Sequence, residues 1–117
     1  MKQVLSIKNL KFASLNNKYN KNKYTGKLFL TKSYREFKDL IILCAKKGFI
    51  KPPYRMMIRA ETALDYDNIL KPISDGLEVA GVIDNDKNIN EIFIFKKSIK
   101  RGQAGSLKVF IETMEEV

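Results

Sequence analysis

The chain has 117 residues, with 22 Lys or Arg against 13 Asp or Glu and a formal net charge of +9. A chain of this length supports one hydrophobic core and leaves little room for a second, so the sequence predicts a single domain over 1–117. It contains no His and a single Cys, Cys44, which excludes a Ser-His-Asp triad, a His-based zinc site and an internal disulfide.

The first half of the chain predicts a strand, a loop and a helix. Alternating apolar residues predict a strand over Val4–Phe12. Residues 15–24, rich in Lys and Asn with two Tyr, indicate a long exposed loop. That loop is either a solvated connector or an arm that contacts phosphates through Lys and stacks Tyr on unpaired bases. Ser33 and Glu36 fit a capping box for a helix that ends near Lys47.

The first predicted helix carries an apolar stripe with spacings of three and four residues. Its members are Tyr34, Phe37, Ile41, Cys44 and Ala45. We expect this stripe to lie in the core, so Cys44 is predicted to pack rather than to react.

The second half predicts three strands and one helix. Strands are expected over Tyr54–Ala60, Glu91–Lys96 and Leu107–Glu112. In the first of these strands, Arg55, Met57 and Arg59 share one face, and Met56 and Ile58 share the other. A helix is expected between Asp67 and Gly81, with Gly81 at its C-terminal cap. Pro72 leaves the start open, because it suits the first turn of a helix that begins near Leu70.

The order of these elements is strand, helix, strand, helix, strand, strand. This order predicts an α+β domain with a mixed β-sheet and two main helices packed on one face. The N-terminus lacks the apolar run of a signal peptide, and no stretch approaches the roughly 18 apolar residues of a membrane span. The sequence therefore predicts a cytoplasmic protein without a membrane partner, and one cysteine suits that reducing compartment.

Charge is segregated along the chain. Residues 1–59 carry fifteen Lys or Arg and two acids, whereas residues 65–86 carry six acids and one base, Lys71. A basic surface attracts nucleic acid, and a carboxylate cluster within it repels phosphate unless a cation lies between them. The pattern indicates a divalent metal presented to a nucleic-acid backbone, and the alternative is a basic protein whose acids merely balance a loop.

Three carboxylates form the candidate metal site. Asp65 and Asp67 are separated by one residue, so they share one side if the chain is extended there. The intervening helix can fold Asp86 back beside them. Oxygen ligands without nitrogen or sulfur suit Mg²⁺, with Mn²⁺ as a substitute, and indicate phosphodiester hydrolysis by a metal-activated water.

Lys71 lies four residues after Asp67, which places both on one helix face. It either stabilises charge on the reacting phosphate or simply pairs with Asp67 or Asp75. Asp75 and Glu78 are expected to be surface helix residues and Asp84 a turn residue.

The spacing of these residues resembles the signature of the RusA-like Holliday-junction resolvases, most strongly over residues 59–95. The pattern reads Asp65-x-Asp67-Asn68-x-x-Lys71-x-x-x-Asp75-x-Leu77, then Ala80-Gly81-Val82-Ile83-x-x-Asp86. That family commonly carries two adjacent acids before the final strand, where this sequence has Asn85 and Asp86. By its spacing from Gly81, Asp86 matches the essential acidic position of the family. Asp84 and Asn85 are candidates for an outer ligand.

The resemblance implies a homodimeric, Mg²⁺-dependent endonuclease that makes paired, symmetric nicks in four-way DNA junctions in a bacterial cell, encoded by the host or by a phage. It implies that Asp65, Asp67 and Asp86 bind the metal, that Lys71 is required for catalysis, and that no organic cofactor is needed. The alternatives are a nuclease of flaps or other branched DNA and a non-catalytic DNA-binding protein. Weaker candidates for phosphate contacts are Lys18, Lys21, Lys23, Arg55 and Arg59.

Overall fold

Six strands and two α-helices lie within the residues that the computed structural model describes, which are 1–10, 19–21, 28–30 and 32–115. In chain order they are β1 (Lys2–Leu10), β2 (Tyr19–Lys21), β3 (Leu28–Leu30), α1 (Lys32–Cys44), β4 (Tyr54–Thr62), α2 (Tyr66–Val79), β5 (Ile89–Ser98) and β6 (Gly105–Thr113). A 3-10 turn, Asp86–Asn88, precedes β5.

Four of the strands form a mixed sheet in the order β1-β6-β4-β5. β6 pairs antiparallel with both β1 and β4, and β4 pairs parallel with β5. Parallel neighbouring strands need a crossover connection, and the connection from β4 to β5 contains α2. β2 and β3 form a separate antiparallel pair. The predicted α+β class with a mixed sheet is confirmed.

The core lies between one face of this sheet and both helices. The strands contribute alternate residues, such as Met56 and Ile58 of β4 and Val109 of β6, all of them fully buried. The same cluster includes Ile41 of α1 and Ile73 of α2. The two helices therefore cover one face, as the sequence predicted.

The opposite face of the sheet, called the open face below, presents the intervening residues of β4, β5 and β6. The predicted alternation in β4 is confirmed, since Arg55, Met57 and Arg59 point away from the core. β5 is an edge strand, and its Phe93 and Phe95 are exposed.

Three expectations for the first half of the chain are wrong. Residues 19–21 form a strand that pairs with 28–30, although the sequence predicted an exposed loop over 15–24; the rest of that loop lies outside the described residues. Cys44 is exposed, not buried, because it is the last residue of α1 and the apolar stripe is fully covered only as far as Ile41. The helix also begins at Lys32, one residue before the predicted cap Ser33.

The start of α2, which Pro72 left open, is at Tyr66, so Pro72 is a buried residue in the interior of the helix. The helix ends at Val79 with Ala80 as its C-cap residue, and Gly81, predicted at the cap, is the next residue, with a φ of +78°. The Gly81 N–H donates to the Glu78 carbonyl at 3.1 Å and the Val82 N–H to the Leu77 carbonyl at 3.0 Å. This pair of bonds is a Schellman motif, which needs a residue that tolerates positive φ.

Across the described ranges, no helix has the length and apolar character of a membrane span.

Candidate active site

The turn between β4 and α2 places the first two acidic residues. Thr62 is fully buried, and its hydroxyl accepts a hydrogen bond from the Leu64 N–H at 3.0 Å, which turns the chain away from the sheet. Asp65 follows as the N-cap residue with an extended backbone, and Asp67 lies in the first turn of α2. Both side chains are exposed, and the positive end of the helix dipole favours a carboxylate there.

Asp86 is placed by the segment that follows α2. Val82 and Ile83 are buried, and the Tyr54 hydroxyl fixes the chain by accepting from the Asp84 N–H at 3.1 Å while donating to the Ile50 carbonyl at 2.6 Å. Asp86 then begins the 3-10 turn. A fully buried tyrosine therefore sets the position of this acidic segment relative to β4.

The polar residues beside Asp86, Asp84 and Asn85, hold the turn together. The Asp84 carboxylate accepts two hydrogen bonds from the Asn88 side chain, at 2.9 and 3.1 Å. The Asn85 side chain accepts from the Lys87 N–H at 2.9 Å and caps the 3-10 turn. Asp84 is thus a turn residue, as expected from the sequence.

Two pKa shifts follow from this arrangement. Burial raises the pKa of Tyr54, so its hydroxyl stays protonated and remains a donor. The Asn88 amide is the largest influence on Asp84 and holds the pKa of that carboxyl below its usual range.

Lys71 links α2 to the acidic segment. Its Nζ atom lies 3.2 Å from Asp86 Oδ2 and 3.2 Å from Asp75 Oδ1. The hydrogen bond to Asp75 has the largest effect on the pKa of Lys71 and raises it, and the hydrogen bond to Asp86 raises it further. Lys71 is therefore a cation at neutral pH, which suits an electrostatic role and excludes a role as general base in this state.

Asp75 belongs to the same network, although the sequence indicated a simple surface position. Its side chain is 20% exposed, and its second oxygen accepts a hydrogen bond from the Tyr34 hydroxyl of α1. The i,i+4 spacing to Lys71 was visible in the sequence. The contact with Tyr34 was not, because the two residues are 41 positions apart.

Asp67, Lys71 and Asp86 line one cleft of about 210 Å³. Its remaining walls are Leu70 and Ser74 of α2 and Ile89 and Ile92 of β5. We call this the candidate cleft. It brings together three of the four residues predicted to be catalytic. The fourth, Asp65, is not among the described residues that line it.

The candidate cleft offers two carboxylates, which are the type of ligand that a hard divalent cation prefers. Mg²⁺ is commonly held by one or two carboxylates together with water and substrate phosphates, and Asp67 and Asp86 supply such oxygens. In the described part of the chain, no three His, Cys, Asp or Glu side chains are grouped so that they could hold a metal ion. The structure does not group Asp65, Asp67 and Asp86 in this way, and binding of a metal ion by all three stays a prediction.

The predicted phosphate-binding residues are spread over different parts of the fold. Arg55 and Arg59 lie on the open face, and Arg55 is held between Glu91 at 2.6 Å and Glu112 at 2.8 Å. Lys21 ends β2, and its side chain is outside the described atoms, while Lys18 and Lys23 lie outside the described residues.

Comparison of the chain with protein-family models and with curated proteins finds no match. The residues of the chain and their geometry therefore carry the functional conclusion.

Proposed function

We propose that the protein is a Mg²⁺-dependent endonuclease of branched DNA, with four-way junctions as its substrate. The observation that supports a metal-dependent nuclease is the convergence of Asp67, Lys71 and Asp86 on the candidate cleft. The choice of four-way junctions as the substrate rests on the resemblance of the spacing around these residues to the signature of the RusA-like resolvases. Two carboxylates can hold a divalent cation and a lysine ammonium can stabilise charge on a phosphate, so together they suit metal-dependent phosphodiester hydrolysis. The net charge of +9 supports a polyanionic substrate.

Asp67 and Asp86 are proposed to hold the cation, and Asp65 to assist from the N-cap of α2. Mn²⁺ is expected to substitute for Mg²⁺, since both prefer oxygen ligands. A bound cation of this kind supplies an activated water and charge stabilisation for attack on phosphorus.

Lys71 is proposed to bind a phosphate oxygen of the DNA. Its ammonium group has three donors, and the pairs with Asp75 and Asp86 use two of them. Tyr34 orients Asp75 through its hydroxyl, so the position of Lys71 depends on both helices. The raised pKa of Lys71 keeps the ammonium charged while negative charge builds on the phosphate.

A homodimer completes the proposal. A four-way junction has approximate two-fold symmetry, and one chain carries one candidate cleft, so paired nicks favour two chains. Sedimentation or light scattering of the purified protein measures this directly, and a monomer bound to a junction would contradict paired cleavage.

The second candidate function is a non-catalytic DNA-binding protein. It is favoured by the pairing of Lys71 with Asp75 and Asp86, which are partners that a purely structural role also explains. In that case the acidic residues stabilise the turn after α2 and have no part in chemistry.

Cleavage of labelled synthetic DNA separates these candidates. Four-way junctions, flaps and linear duplex are incubated with the protein in Mg²⁺ and then in EDTA. We expect symmetric nicks in the junction that require Mg²⁺. Asp67→Asn and Asp86→Asn should abolish cutting while retaining junction binding, and loss of a negative charge can tighten that binding.

Asp39→Asn is the matched control, because Asp39 is an exposed acid of α1 outside the candidate cleft. It should cut like the wild type. Wild-type turnover by Asp67→Asn would remove that residue from the mechanism. Preference for flaps would favour the related branched-DNA nuclease, and binding without any cutting by the wild type would leave the non-catalytic function.

A further inference from the structure

The open face carries an ordered pattern of side chains across three strands. The register pairs Met57 of β4 with Phe93 of β5 and Phe110 of β6. One step further along, Arg59 pairs with Phe95 and Lys108. A row of one methionine and two phenylalanines therefore lies beside a row of one phenylalanine and two cations.

Two phenylalanines of this pattern are exposed at the edge of the sheet. Phe93 is 47% and Phe95 is 52% exposed, and as residues i and i+2 of β5 they share one face. The Arg59 guanidinium lies 5.1 Å from the centre of the Phe95 ring, within the range of a cation–π contact. Neighbouring exposed rings beside cations are typical of surfaces on which nucleic-acid bases stack.

Positive charge is concentrated at one end of the open face. A groove of about 560 Å³ there is lined by three cations, one acid and one ring of the open face, namely Arg59, Lys97, Lys108, Glu61 and Phe95. Lys96 also lines the groove, although the alternation of β5 places it on the opposite face, beside the buried Ala60. At the opposite end, Glu91 and Glu112 flank Arg55 and balance its charge. The unbalanced positive end therefore complements a polyanion.

We propose that this end of the open face binds single-stranded DNA, with Phe93 and Phe95 stacking on unpaired bases and Arg59, Lys97 and Lys108 contacting phosphates. A second copy of the chain is the less favoured occupant. An isologous contact centred here would set the patch against itself and bring like charges together.

The surface lies next to the candidate cleft but on the other side of the sheet. Ile92 lines the candidate cleft, and the next residue of β5, Phe93, belongs to the open face. A DNA strand that passes around the β5 edge can therefore contact both surfaces. The choice of DNA over RNA rests on the proposed function, whereas the binding itself requires no cleavage.

Fluorescence anisotropy with labelled oligo-dT of about 15 nucleotides tests the proposal. The titrations are done in EDTA, so the result does not depend on nuclease activity. We expect Phe95→Ala to weaken oligo-dT binding by at least about fivefold, the lower limit for one stacked base. Phe49→Ala is the matched control, because Phe49 is 58% exposed and precedes β4 outside the open face, and it should bind like the wild type.

Lys108→Gln provides a second, electrostatic measurement. We expect it to reduce the slope of log affinity against log salt by about 0.7, the value for one phosphate contact with a single strand. Lys46→Gln, an exposed position after α1, should leave the slope unchanged. Thermal unfolding of each variant shows that the fold is retained.

Equal oligo-dT affinity of Phe95→Ala and Phe49→Ala would overturn the proposal. So would conversion of a dimer to a monomer by Phe95→Ala, which would assign the face to a second copy. Tighter binding of oligo-rU with the same dependence on Phe95 would overturn the choice of DNA. Junction cleavage is scored separately, so its absence alongside Phe95-dependent binding refutes the proposed function and leaves this surface standing.

Discussion

Gly76 of α2 is the position where a small change should most clearly disturb the packing of the two helices. A Cβ atom at this position would lie 2.6 Å from Ile41 Cγ2 and 3.0 Å from Ile41 Cβ. Ile41 is fully buried in α1 and is β-branched, so its side chain has few alternative rotamers. Gly76→Ala therefore requires α1 and α2 to move apart.

Two effects of opposite sign set the magnitude. Overpacking of a core typically costs about 1–3 kcal/mol. Replacing Gly by Ala within a helix returns about 1 kcal/mol through helix propensity. Since Ile41 cannot swing away, we expect a cost near the upper end of the range and a net loss of about 1–2 kcal/mol.

Urea denaturation of a double-mutant cycle measures this effect. Ile41→Ala removes the clashing Cγ2 atom, so the double variant should lose less stability than the sum of the two single changes. Gly81→Ala is the control, because its cost comes from a φ of +78° and its Cβ meets nothing within 4 Å. That cost should add to the cost of Ile41→Ala. If Gly76→Ala is as stable as the wild type, the close approach of the helices is refuted.

Three further predictions concern the groups that position the candidate cleft. Tyr54→Phe removes a buried hydroxyl that bridges two backbone groups and should cost about 1–3 kcal/mol in urea denaturation; an unchanged midpoint would contradict the bridge. Lys71→Gln should cost about 0.2–1 kcal/mol at neutral pH, since its ion pairs are partly exposed. Folding raises the pKa of Lys71, so the stability difference between the variant and the wild type should have its full size at pH values below the unfolded pKa. It should disappear as the pH rises through the folded pKa. A difference that persists at high pH would contradict the pairing. Asn88→Ala should raise the pKa of Asp84 in an NMR titration, whereas an unchanged value would contradict the role of the amide.

Local patterns were sufficient to predict much of the fold. The alternation in β4 separated Met56 and Ile58, which the structure buries, from Arg55 and Arg59, which point outward, because a strand places successive side chains on opposite faces. Gly81 marked the end of α2, because the Schellman motif needs a positive φ that glycine adopts freely. These features depend on neighbours in the sequence.

Features that depend on distant partners could not be predicted in the same way. The strand over 19–21 forms through pairing with 28–30, and polar residues alone do not indicate such a strand. Cys44 follows the helical period, yet the core that covers the helix ends before it. Beside the candidate cleft, the spacing suggested the Lys71–Asp75 pair, whereas the hydrogen bond from Tyr34 to Asp75 depends on how two helices pack.

Binding of Mn²⁺ tests the central claim, that Asp67 and Asp86 together hold a divalent cation, more directly than any assay of activity. Electron paramagnetic resonance of Mn²⁺ titrated with the protein reports the bound fraction without DNA. We predict binding by the wild type and by Asp39→Asn, and a loss of binding in both Asp67→Asn and Asp86→Asn. Equal Mn²⁺ binding by all four proteins, or none by the wild type, would contradict a metal site in the candidate cleft.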